Sequence, residues 1–395
     1  MATVTFMDIE ALKLSPIGSL MPISGYDYRF DQAYDTFAFA PDVLPISLAL
    51  SEETVYQMSL ADRALGNLNA RIKFLPNPTV LVRPALMSEA KATSAIEGTF
   101  ATLDEILTAD YVDAKRPSEM REIRNYVTAA LRSVQLIETL PICRRVIEEL
   151  HFILVTGTRG DGSDAGALRN KQVFIGAEEA KVGDARFIPV PNGPTLEEGF
   201  SQWERWVNAD HRLPLLAKVA LTHYQFETLH PFSDGNGRLG RLIITLQLMA
   251  AGELEHPILN LSAWFQPRKN QYIDALMHVS VTGDFNSWIT MFCQAVTDRA
   301  GSSLATIDAL FSYRDGIVER AALLGMRSIG QQIADFVIGQ PVFTVEELRV
   351  ALGVSTNTAA RRARELEELN VVTEVTGSTY GRVYLSYPVV QLLEG

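Results

Sequence analysis

The chain has 395 residues, 47% of them hydrophobic, which suits two or three structural units that each bury a sizeable core. Its formal net charge of −12 argues against general affinity for nucleic acid or anionic membranes. The N-terminus lacks a basic segment followed by a long apolar run, and no stretch has the apolar length of a membrane span, so the sequence predicts a cytoplasmic protein.

The first part of the chain divides into an arm and a helical region. Residues 1–50 mix aromatic residues with prolines and show no clear periodicity, so we expect an irregular arm packed on a larger body. Cys143 and Cys293 are the only cysteines and both fall in helical patterns, which favours small core residues over a disulfide or a zinc site. The predicted helices are 52–73, a helix from near Pro84 to a left-handed cap at Gly98, 102–112, 118–138 and 141–156.

Residues 157–195 have a different composition, rich in glycine and proline. They contain two β-like runs, Gln172–Ile175 and Arg186–Val190. This composition predicts a loop with a β-hairpin, exposed enough to contact a substrate.

Helical patterns then return on both sides of a glycine-rich motif. The helix that follows the motif is expected to be almost entirely buried and to end at Gly252, because nearly all of its faces are apolar. The predicted helices are 196–209, 214–229, the helix after the motif, 267–281, 284–300 and a pair within 302–339.

From Pro341 the sequence predicts a winged helix-turn-helix: a helix at 344–352, a helix at 355–369 and two strands around Gly377 and Gly381. Arginines on the second helix suggest that this helix binds DNA. However, residues 344–395 carry five arginines against seven glutamates, a net charge of −2 that disfavours phosphate binding. A protein-interaction, dimer-forming or target-positioning role is therefore preferred, with DNA binding as the alternative.

The motif between the two central helices combines groups that suit phosphate chemistry. A glycine-rich turn that opens onto a helix offers free backbone N–H groups and a positive dipole end to a phosphate, and arginines add bidentate donors. An imidazole and a carboxylate beside them suggest a base and a Mg²⁺ site. The residues in order are His230, Pro231, Phe232, Ser233, Asp234, Gly235, Asn236, Gly237, Arg238, Leu239, Gly240 and Arg241.

Two other interpretations of the motif are weaker. Gly235 to Gly240 formally match the dinucleotide fingerprint G-x-G-x-x-G, but that fingerprint follows a strand, whereas a helical pattern precedes this motif. A plain helix–helix turn would need the glycines only for their backbone freedom. It would not need so many phosphate-competent side chains, so the functional interpretation is preferred.

The twelve residues resemble the signature of the Fic family, His-Pro-Phe-x-Asp/Glu-Gly-Asn-Gly-Arg-x-x-Arg, and fill every fixed position. The resemblance covers roughly residues 50–300 and implies a helical fold that transfers AMP from ATP to a hydroxyl of a target protein, although some members move other phosphate-containing groups or remove AMP. It extends over Thr222–Leu229, Leu168-Arg169, Ile188-Pro189, Leu261-Ser262 and Trp288-Ile289.

The resemblance also implies residue roles. His230 would be the general base that accepts the proton of the attacking hydroxyl, for which its near-neutral intrinsic pKa is suited. Asp234 would hold Mg²⁺ between the α- and β-phosphates, and Phe232 would anchor the loop in the core. Trp264 and Tyr272 are weaker candidates to flank the adenine.

The nucleotide-binding residues follow in the same way. The backbone around Gly235, Asn236 and Gly237 would cradle the α- and β-phosphates at the helix start. Arg238 would support the β-phosphate side, and Arg241 would bind the γ-phosphate.

An upstream segment matches the inhibitory pattern of the same family, Ser/Thr-x-x-x-Glu-Gly/Asn, with Thr93, Glu97 and Gly98. Thr93 and Glu97 are four residues apart and share a helix face. The resemblance implies that Glu97 pairs with Arg241 and takes the place that the γ-phosphate needs. A carboxylate forms a strong pair with guanidinium and repels phosphate.

Together these observations predict a mainly α fold: a Fic-type helical core with a small β-hairpin flap and a C-terminal winged helix-turn-helix. The expected division is an N-terminal helical region at 1–115, a catalytic core at 116–300, and linker helices with the winged helix at 301–395. The expected function is that of an autoinhibited protein adenylyltransferase that uses ATP and Mg²⁺ on a protein target or on itself. Three alternative functions remain open: a de-AMPylase, another phosphate-group transferase and a nucleotide-sensing transcriptional regulator. A homodimer is also possible on this sequence.

Overall fold

The computed structural model describes residues 6–73, 75, 77–109, 111, 117–176, 181–378 and 380–394. Helices make up most of these residues, so the predicted mainly α class with small antiparallel sheets is confirmed. The helices are α1 (Ile9–Leu12), α2 (Glu52–Lys73), α3 (Val82–Ile96), α4 (Leu103–Thr108), α5 (Pro117–Ile137), α6 (Arg144–Val155), α7 (Pro194–Asn208), α8 (Leu215–Leu229), α9 (Asn236–Ala250), α10 (Ser262–Phe265), α11 (Lys269–Thr282), α12 (Phe285–Leu323), α13 (Gly330–Gly339), α14 (Val345–Leu352), α15 (Thr356–Glu368) and α16 (Tyr387–Glu394).

The centre of the fold is the pair α8 and α9, which are almost entirely buried. The expected burial of α9 is therefore confirmed. Because both helices are apolar on nearly every face, they need neighbours all around them, and α3, α5, α6 and α12 supply these. The turn that joins α8 to α9 is thereby held inside the protein.

The prediction of an irregular arm at 1–50 is wrong. Strands β1 (Gly18–Asp27) and β2 (Gln32–Pro41) form an antiparallel hairpin with continuous register from Gly18 opposite Pro41 to Asp27 opposite Gln32. The hairpin buries few of its side chains, so its sequence lacks the strict alternation that marks a half-buried strand. Prolines within the segment also suggested a loop, but an edge strand tolerates them.

The glycine-rich segment forms the expected flap, which we define as residues 172–190. Ile175 and Phe187 are paired by an antiparallel bridge, so the two β-like runs do come together. The turn between them, residues 177–180, lies outside the described residues. The N-terminal hairpin packs against the flap, because the Phe39 N–H donates to the Ile188 carbonyl at 2.9 Å.

The expected break near residue 301 is absent, and α12 runs unbroken for 39 residues. Gly301 lies inside this helix, where a glycine costs about 1 kcal/mol relative to alanine but does not end a helix. Extensive packing of α12 on α2 stabilises the continuous form.

The C-terminal part contains the predicted order of two helices, α14 and α15, and two strands, β4 (Thr373–Glu374) and β5 (Val383–Leu385). A third strand that the sequence analysis did not predict, β3 (Val342–Thr344), pairs with β5, so the sheet order is β3-β5-β4. This part contacts α3 through α16, where Lys91 Nζ lies 2.5 Å from Glu394 Oε1. None of the described helices combines the length and the apolarity that a membrane crossing needs.

Candidate active site

The motif forms the turn between α8 and α9. His230 ends α8 in the left-handed conformation, with φ 47° and ψ 61°, which sharply redirects the chain. Gly235 precedes α9 with φ 77°, a conformation that glycine adopts without a steric cost. The four residues between them therefore form a compact loop at the N-terminus of a buried helix.

The loop is held by one of its own side chains. The amide of Asn236 accepts a hydrogen bond from the Phe232 N–H at 2.9 Å and donates to the Phe232 carbonyl at 2.8 Å. Phe232 itself is fully buried. Asn236 therefore supports this loop with its side chain, and its backbone N–H is the group it leaves for a ligand.

His151 on α6 packs against the same loop. Its ring stacks on Phe232 with the centroids 3.9 Å apart. The Gly166 N–H donates to Nδ1 at 3.0 Å, so Nε2 carries the proton and donates to the Asp234 carbonyl at 3.0 Å. Burial lowers the pKa of His151 to about 4, which keeps the ring in this neutral form.

Arg169 connects the flap to the motif. Its Nε donates to the His230 carbonyl and its backbone N–H donates to the Pro231 carbonyl, both at 2.9 Å. Its guanidinium also donates to the Val190 carbonyl in the flap. Because Arg169 is only 2% exposed, these bonds are shielded from water and fix the backbone of the proposed base.

His230 is neutral at physiological pH. Burial, together with the nearby positive charge of Arg169, lowers the pKa of its imidazole to about 4. Nδ1 lies 3.4 Å from the Glu227 carbonyl, which can only accept, so this contact favours a proton on Nδ1 and a lone pair on Nε2. The side chain lines a cavity, so the group has a lone pair and access to a ligand.

The first turn of α9 offers backbone N–H groups that have no acceptor within the helix. Gly237 lies in this turn, and a Cβ on it would come within 2.2 Å of Glu97 Oε1 and 3.0 Å of Arg241 Nη1. The backbone is thus open to close approach by a ligand only because residue 237 is glycine. The helix start matches a phosphate cradle.

Asp234 presents one engaged and one accessible carboxylate oxygen. Oδ1 accepts from the Gly235 N–H at 2.6 Å, and Arg238 Nη2 lies 3.5 Å from the same oxygen. Oδ2 lies 3.7 Å from Arg159 Nε, and the side chain is 30% exposed. Within the described ranges there is no group of three or more residues of the types His, Cys, Asp and Glu that could hold a metal ion by itself. One carboxylate fits Mg²⁺, however, when substrate phosphates and water supply the other ligands.

Arg238 is fully buried between two carboxylates. Its Nη1 lies 3.3 Å from Glu122 Oε2 on α5, and its Nη2 faces Asp234. Its Nε has no hydrogen-bond partner among the described residues. The guanidinium thus orients Asp234 from behind.

Arg241 contacts both residues of the proposed brake. Its Nε donates to Thr93 Oγ1 at 2.7 Å, and its Nη2 donates to the Thr93 carbonyl at 3.2 Å and to Glu97 Oε1 at 2.6 Å. Burial alone would raise the pKa of Glu97, but the adjacent Arg241 outweighs it and lowers that pKa below its ordinary value. Glu97 is therefore ionised at neutral pH, and the pair is a charged one.

The cavity beside the motif has an empty volume of about 760 Å³, open solvent included, and is lined by His230, Gly237, Arg241 and Glu97 together with flap residues. Of the two aromatic candidates for adenine, Tyr272 lines it and Trp264 does not. Trp264 instead donates from Nε1 to Asp298 at 2.8 Å. His223 is fully buried and hydrogen-bonded to the Tyr272 hydroxyl at 2.7 Å, as expected of a histidine in a helical core.

Four residues of the site were not assigned a role from the sequence: Glu122, His151, Arg159 and Arg169. Glu122 and His151 fall on helical patterns, where the sequence gives no sign that they face the motif. Arg169 was part of the family resemblance, but only its burial and its bonds to His230 and Val190 show what it holds.

The chain is similar to known proteins in sequence and in fold. Residues 55–135 match the model of the Fic/DOC family N-terminal region, and residues 141–248 match that of the Fic/DOC family. The chain is similar to the protein adenylyltransferase Fic of Drosophila ananassae, with 32% identity over 173 residues, and to that of Drosophila erecta, with 34% identity over 170 residues. In each case the match covers 40% of this chain and 31% of the relative, so the chain matches less than a third of the length of these relatives.

Two solved structures share the fold. A Fic family protein from Desulfovibrio desulfuricans G20 has a TM-score of 0.56 and 20% identity, over 86% of this chain and 97% of that one. Fic-1 (aa134–508) from C. elegans has a TM-score of 0.51 and 21% identity, over 64% of this chain and 74% of that one. The first match extends over most of both chains, so the helical architecture is shared well beyond the motif.

Proposed function

Residues 55–135 and 141–248 place the chain in the Fic/DOC family, and from that membership we propose that it is an autoinhibited protein adenylyltransferase. It would transfer AMP from ATP to a Ser, Thr or Tyr hydroxyl of a target protein or of itself. The observation that carries the proposal is that a base, a phosphate cradle and a closed carboxylate–arginine pair line one cavity: His230, Gly237, Arg241 and Glu97.

The transfer step assigns His230 the role of general base. The target hydroxyl oxygen attacks the α-phosphorus, a new P–O bond forms, and the bond to the bridging oxygen of the β-phosphate breaks. The hydroxyl proton passes to Nε2 of His230, whose neutral form is set by burial. Pyrophosphate leaves with the bridging oxygen and the electrons of the broken bond.

The cradle and Asp234 would hold the nucleotide in place for this step. Backbone N–H groups at Gly235, Asn236 and Gly237 would bind the α- and β-phosphates, and Arg238 would support the β-phosphate side. Asp234 Oδ2 would hold Mg²⁺, which neutralises charge on the phosphates when it is bound. Arg241 would bind the γ-phosphate.

The brake follows from a competition for Arg241. Its guanidinium donates to Glu97 and to Thr93 at the same time; the contact with Thr93 is buried, whereas the Glu97 side chain is 33% exposed. A γ-phosphate that approached Arg241 would meet the negative charge of Glu97 and would have to displace it. Glu97 is the residue directly after α3 and precedes Gly98, which has φ 95°, so the carboxylate lies at the point where the helix ends.

The test uses ATP labelled separately at the α- and γ-phosphates. We expect Glu97→Gly to incorporate the α label into protein at a much higher rate than the unaltered chain, and to incorporate no γ label. Adding His230→Ala to this variant should abolish labelling while ATP binding persists. Incorporation of the γ label would identify a phosphoryl transferase. Equal α labelling by the unaltered chain and by Glu97→Gly would refute the inhibitory role of Glu97. Release of AMP from a premodified protein would identify a de-AMPylase.

The C-terminal part is proposed to be a winged helix that positions a protein partner or a second copy of the chain. On α15, Arg362 Nη1 lies 2.6 Å from Glu365 Oε2, and Arg361 Nε lies 3.8 Å from Glu365 Oε1. These pairs use charge that phosphate binding would need. A low-salt gel shift that showed DNA binding would reverse this preference.

A further inference from the structure

Four charged side chains from three segments of the chain form a closed ring of alternating sign that includes two residues of the motif. Arg238 lies between Glu122 and Asp234, at 3.3 Å and 3.5 Å. Arg159, in the loop after α6, closes the ring, because its Nε lies 3.7 Å from Glu122 Oε1 and 3.7 Å from Asp234 Oδ2. Asp234 and Arg238 belong to the signature motif, whereas Glu122 and Arg159 do not.

Arg159 faces the one oxygen of Asp234 that is available to a metal ion. Oδ1 is engaged by the Gly235 N–H and approached by Arg238, so a cation has access only at Oδ2. Gly160 packs directly on this oxygen, since a Cβ on it would lie 2.8 Å from Oδ2. The loop that carries Arg159 therefore runs across the proposed metal position.

The backbone of this loop is fixed, but the Arg159 side chain is loosely held. The Gly157 N–H donates to Asp161 Oδ2 at 2.7 Å and the Gly160 N–H donates to Thr158 Oγ1 at 3.2 Å. The Arg159 side chain is 55% exposed, and both of its ion pairs are longer than a hydrogen bond. Such long, half-exposed pairs contribute little to stability, so the guanidinium can leave Asp234 at little cost.

We propose that Arg159 is a positioning residue that occupies the cation site of Asp234 until a divalent metal arrives with the nucleotide. The proposal rests on the proposed function, in which Asp234 Oδ2 holds that metal. Before binding, two arginines balance two carboxylates, so the ring is neutral and attracts free metal weakly. With metal and phosphates bound together, Asp234 Oδ2 would hold the metal and Arg159 would keep its contact with Glu122. Arg159 thus makes metal binding depend on the nucleotide.

Removing Arg159 should therefore strengthen the binding of free metal. The ring of Arg159→Ala would carry one net negative charge, with Oδ2 uncovered. We expect the Kd for Mn²⁺ in the absence of nucleotide to fall roughly fivefold, the equivalent of one half-exposed ion pair. Arg159→Lys keeps the charge and should bind Mn²⁺ like the unaltered chain.

The experiment is a titration with Mn²⁺, read from the electron paramagnetic resonance signal of the free ion. Asp234→Asn defines the part of the binding that belongs to this site. Arg205→Ala is the matched control, because it removes an arginine from an exposed ion pair with Glu198 on α7. Circular dichroism shows that each variant is folded, and Arg159→Gln provides a second uncharged variant.

The outcomes separate the two proposals. Tighter Mn²⁺ binding in Arg159→Ala and Arg159→Gln, with no change in Arg159→Lys or Arg205→Ala, supports the role of Arg159. Unchanged or weaker binding in both uncharged variants, together with a loss in Asp234→Asn, overturns that role and leaves the metal assignment standing. Full Mn²⁺ affinity in Asp234→Asn overturns the metal assignment itself, and with it the role of Arg159.

Discussion

At the scale of single residues, the environment of His230 determines its chemistry more than its intrinsic basicity does. Its backbone is fixed by Arg169, and burial keeps the ring neutral. A base that is unprotonated at pH 7 is ready for use without a prior proton loss. The low pKa also makes the His230 imidazole a weaker base, so its position relative to the substrate must offset that loss.

The pH dependence of transfer follows from this environment. In the Glu97→Gly variant, we expect the rate at saturating ATP to be flat between about pH 6 and pH 8 and to fall at lower pH, because protonation of His230 removes its lone pair below a pKa of about 4. Loss of Glu97 shifts this fall to still lower pH, since the charge of Glu97 raises the pKa of His230. Single-turnover rates across pH measure it, and circular dichroism at each pH controls for unfolding. A midpoint near 6.5 would show that His230 titrates as an exposed histidine.

At the scale of elements, α3 would carry the proposed brake through two side chains with different tasks. Glu97 supplies the charge, while Thr93 holds the Arg241 guanidinium through both its hydroxyl and its carbonyl. Because Thr93 is fully buried, its hydroxyl is a fixed acceptor and not a surface contact. The helix thus holds Arg241 in the orientation in which Glu97 can pair with it.

Thr93→Val tests this division of tasks. The change keeps the shape but leaves Arg241 Nε without its acceptor, so we expect the free energy of unfolding to fall by about 1–3 kcal/mol. AMP transfer should rise, but by less than in Glu97→Gly. Ser94→Ala is the matched control, because Ser94 Oγ is buried on the same turn and has no hydrogen-bond partner among the described residues, so its loss should neither lower stability nor raise transfer. Denaturant unfolding measures the stability and α-label incorporation measures the transfer. Equal effects of Thr93→Val and Ser94→Ala would contradict the role of Thr93.

The N-terminal hairpin packs on the flap and so supports one wall of the cavity. Phe39 of β2 is fully buried, its ring centroid lies 6.0 Å from that of Phe187 in the flap, and its backbone bonds to Ile188. The flap is thereby held from one side by the hairpin and from the other by Arg169. The cavity wall is stiffened by residues far away in sequence.

At the scale of the whole molecule, the core contains ionisable groups whose burial affects stability. Burial raises the pKa of Glu89 to about 7, although Ser262 donates two hydrogen bonds to its carboxylate. Burial likewise raises the pKa of Glu227 to about 7, and its Oε1 has no hydrogen-bond partner among the described residues. Both lie close enough to Arg241 for its charge to lower their pKa values in part.

These two acids predict how stability varies with pH. A carboxyl whose folded pKa is raised binds its proton more tightly when folded, so its contribution is full below the unfolded pKa of about 4.5 and is lost as pH rises through about 7. We expect the free energy of unfolding to fall between pH 5 and pH 8, by on the order of 2 kcal/mol for each group. Glu89→Gln and Glu227→Gln should each flatten this slope. Urea unfolding at a series of pH values measures it, and an unchanged slope in both variants would place the cause elsewhere.

Much of this protein could be predicted from the sequence. The helices around the motif, the burial of α9, the turn at Gly98 and the helix–helix–strand–strand order of the C-terminal part follow from apolar periodicity and glycine position, which are local properties. The twelve-residue motif could also be recognised from the sequence, because its chemical groups belong to consecutive residues. Its family resemblance is confirmed by the matches over residues 55–135 and 141–248. The division at residues 115 and 300 and the roles of the site residues stay predictions.

Only the tertiary structure decided the rest, because it depends on contacts between residues far apart in the chain. The hairpin at 18–41 and the unbroken α12 are stabilised by packing that overrides the local signals of proline and glycine. The ring of Glu122, Arg159, Asp234 and Arg238 likewise joins three segments, and no spacing in the sequence indicates it. The sequence alone therefore determined which groups the motif contains. The fold determined which charges face them, because charge pairing depends on distance in space.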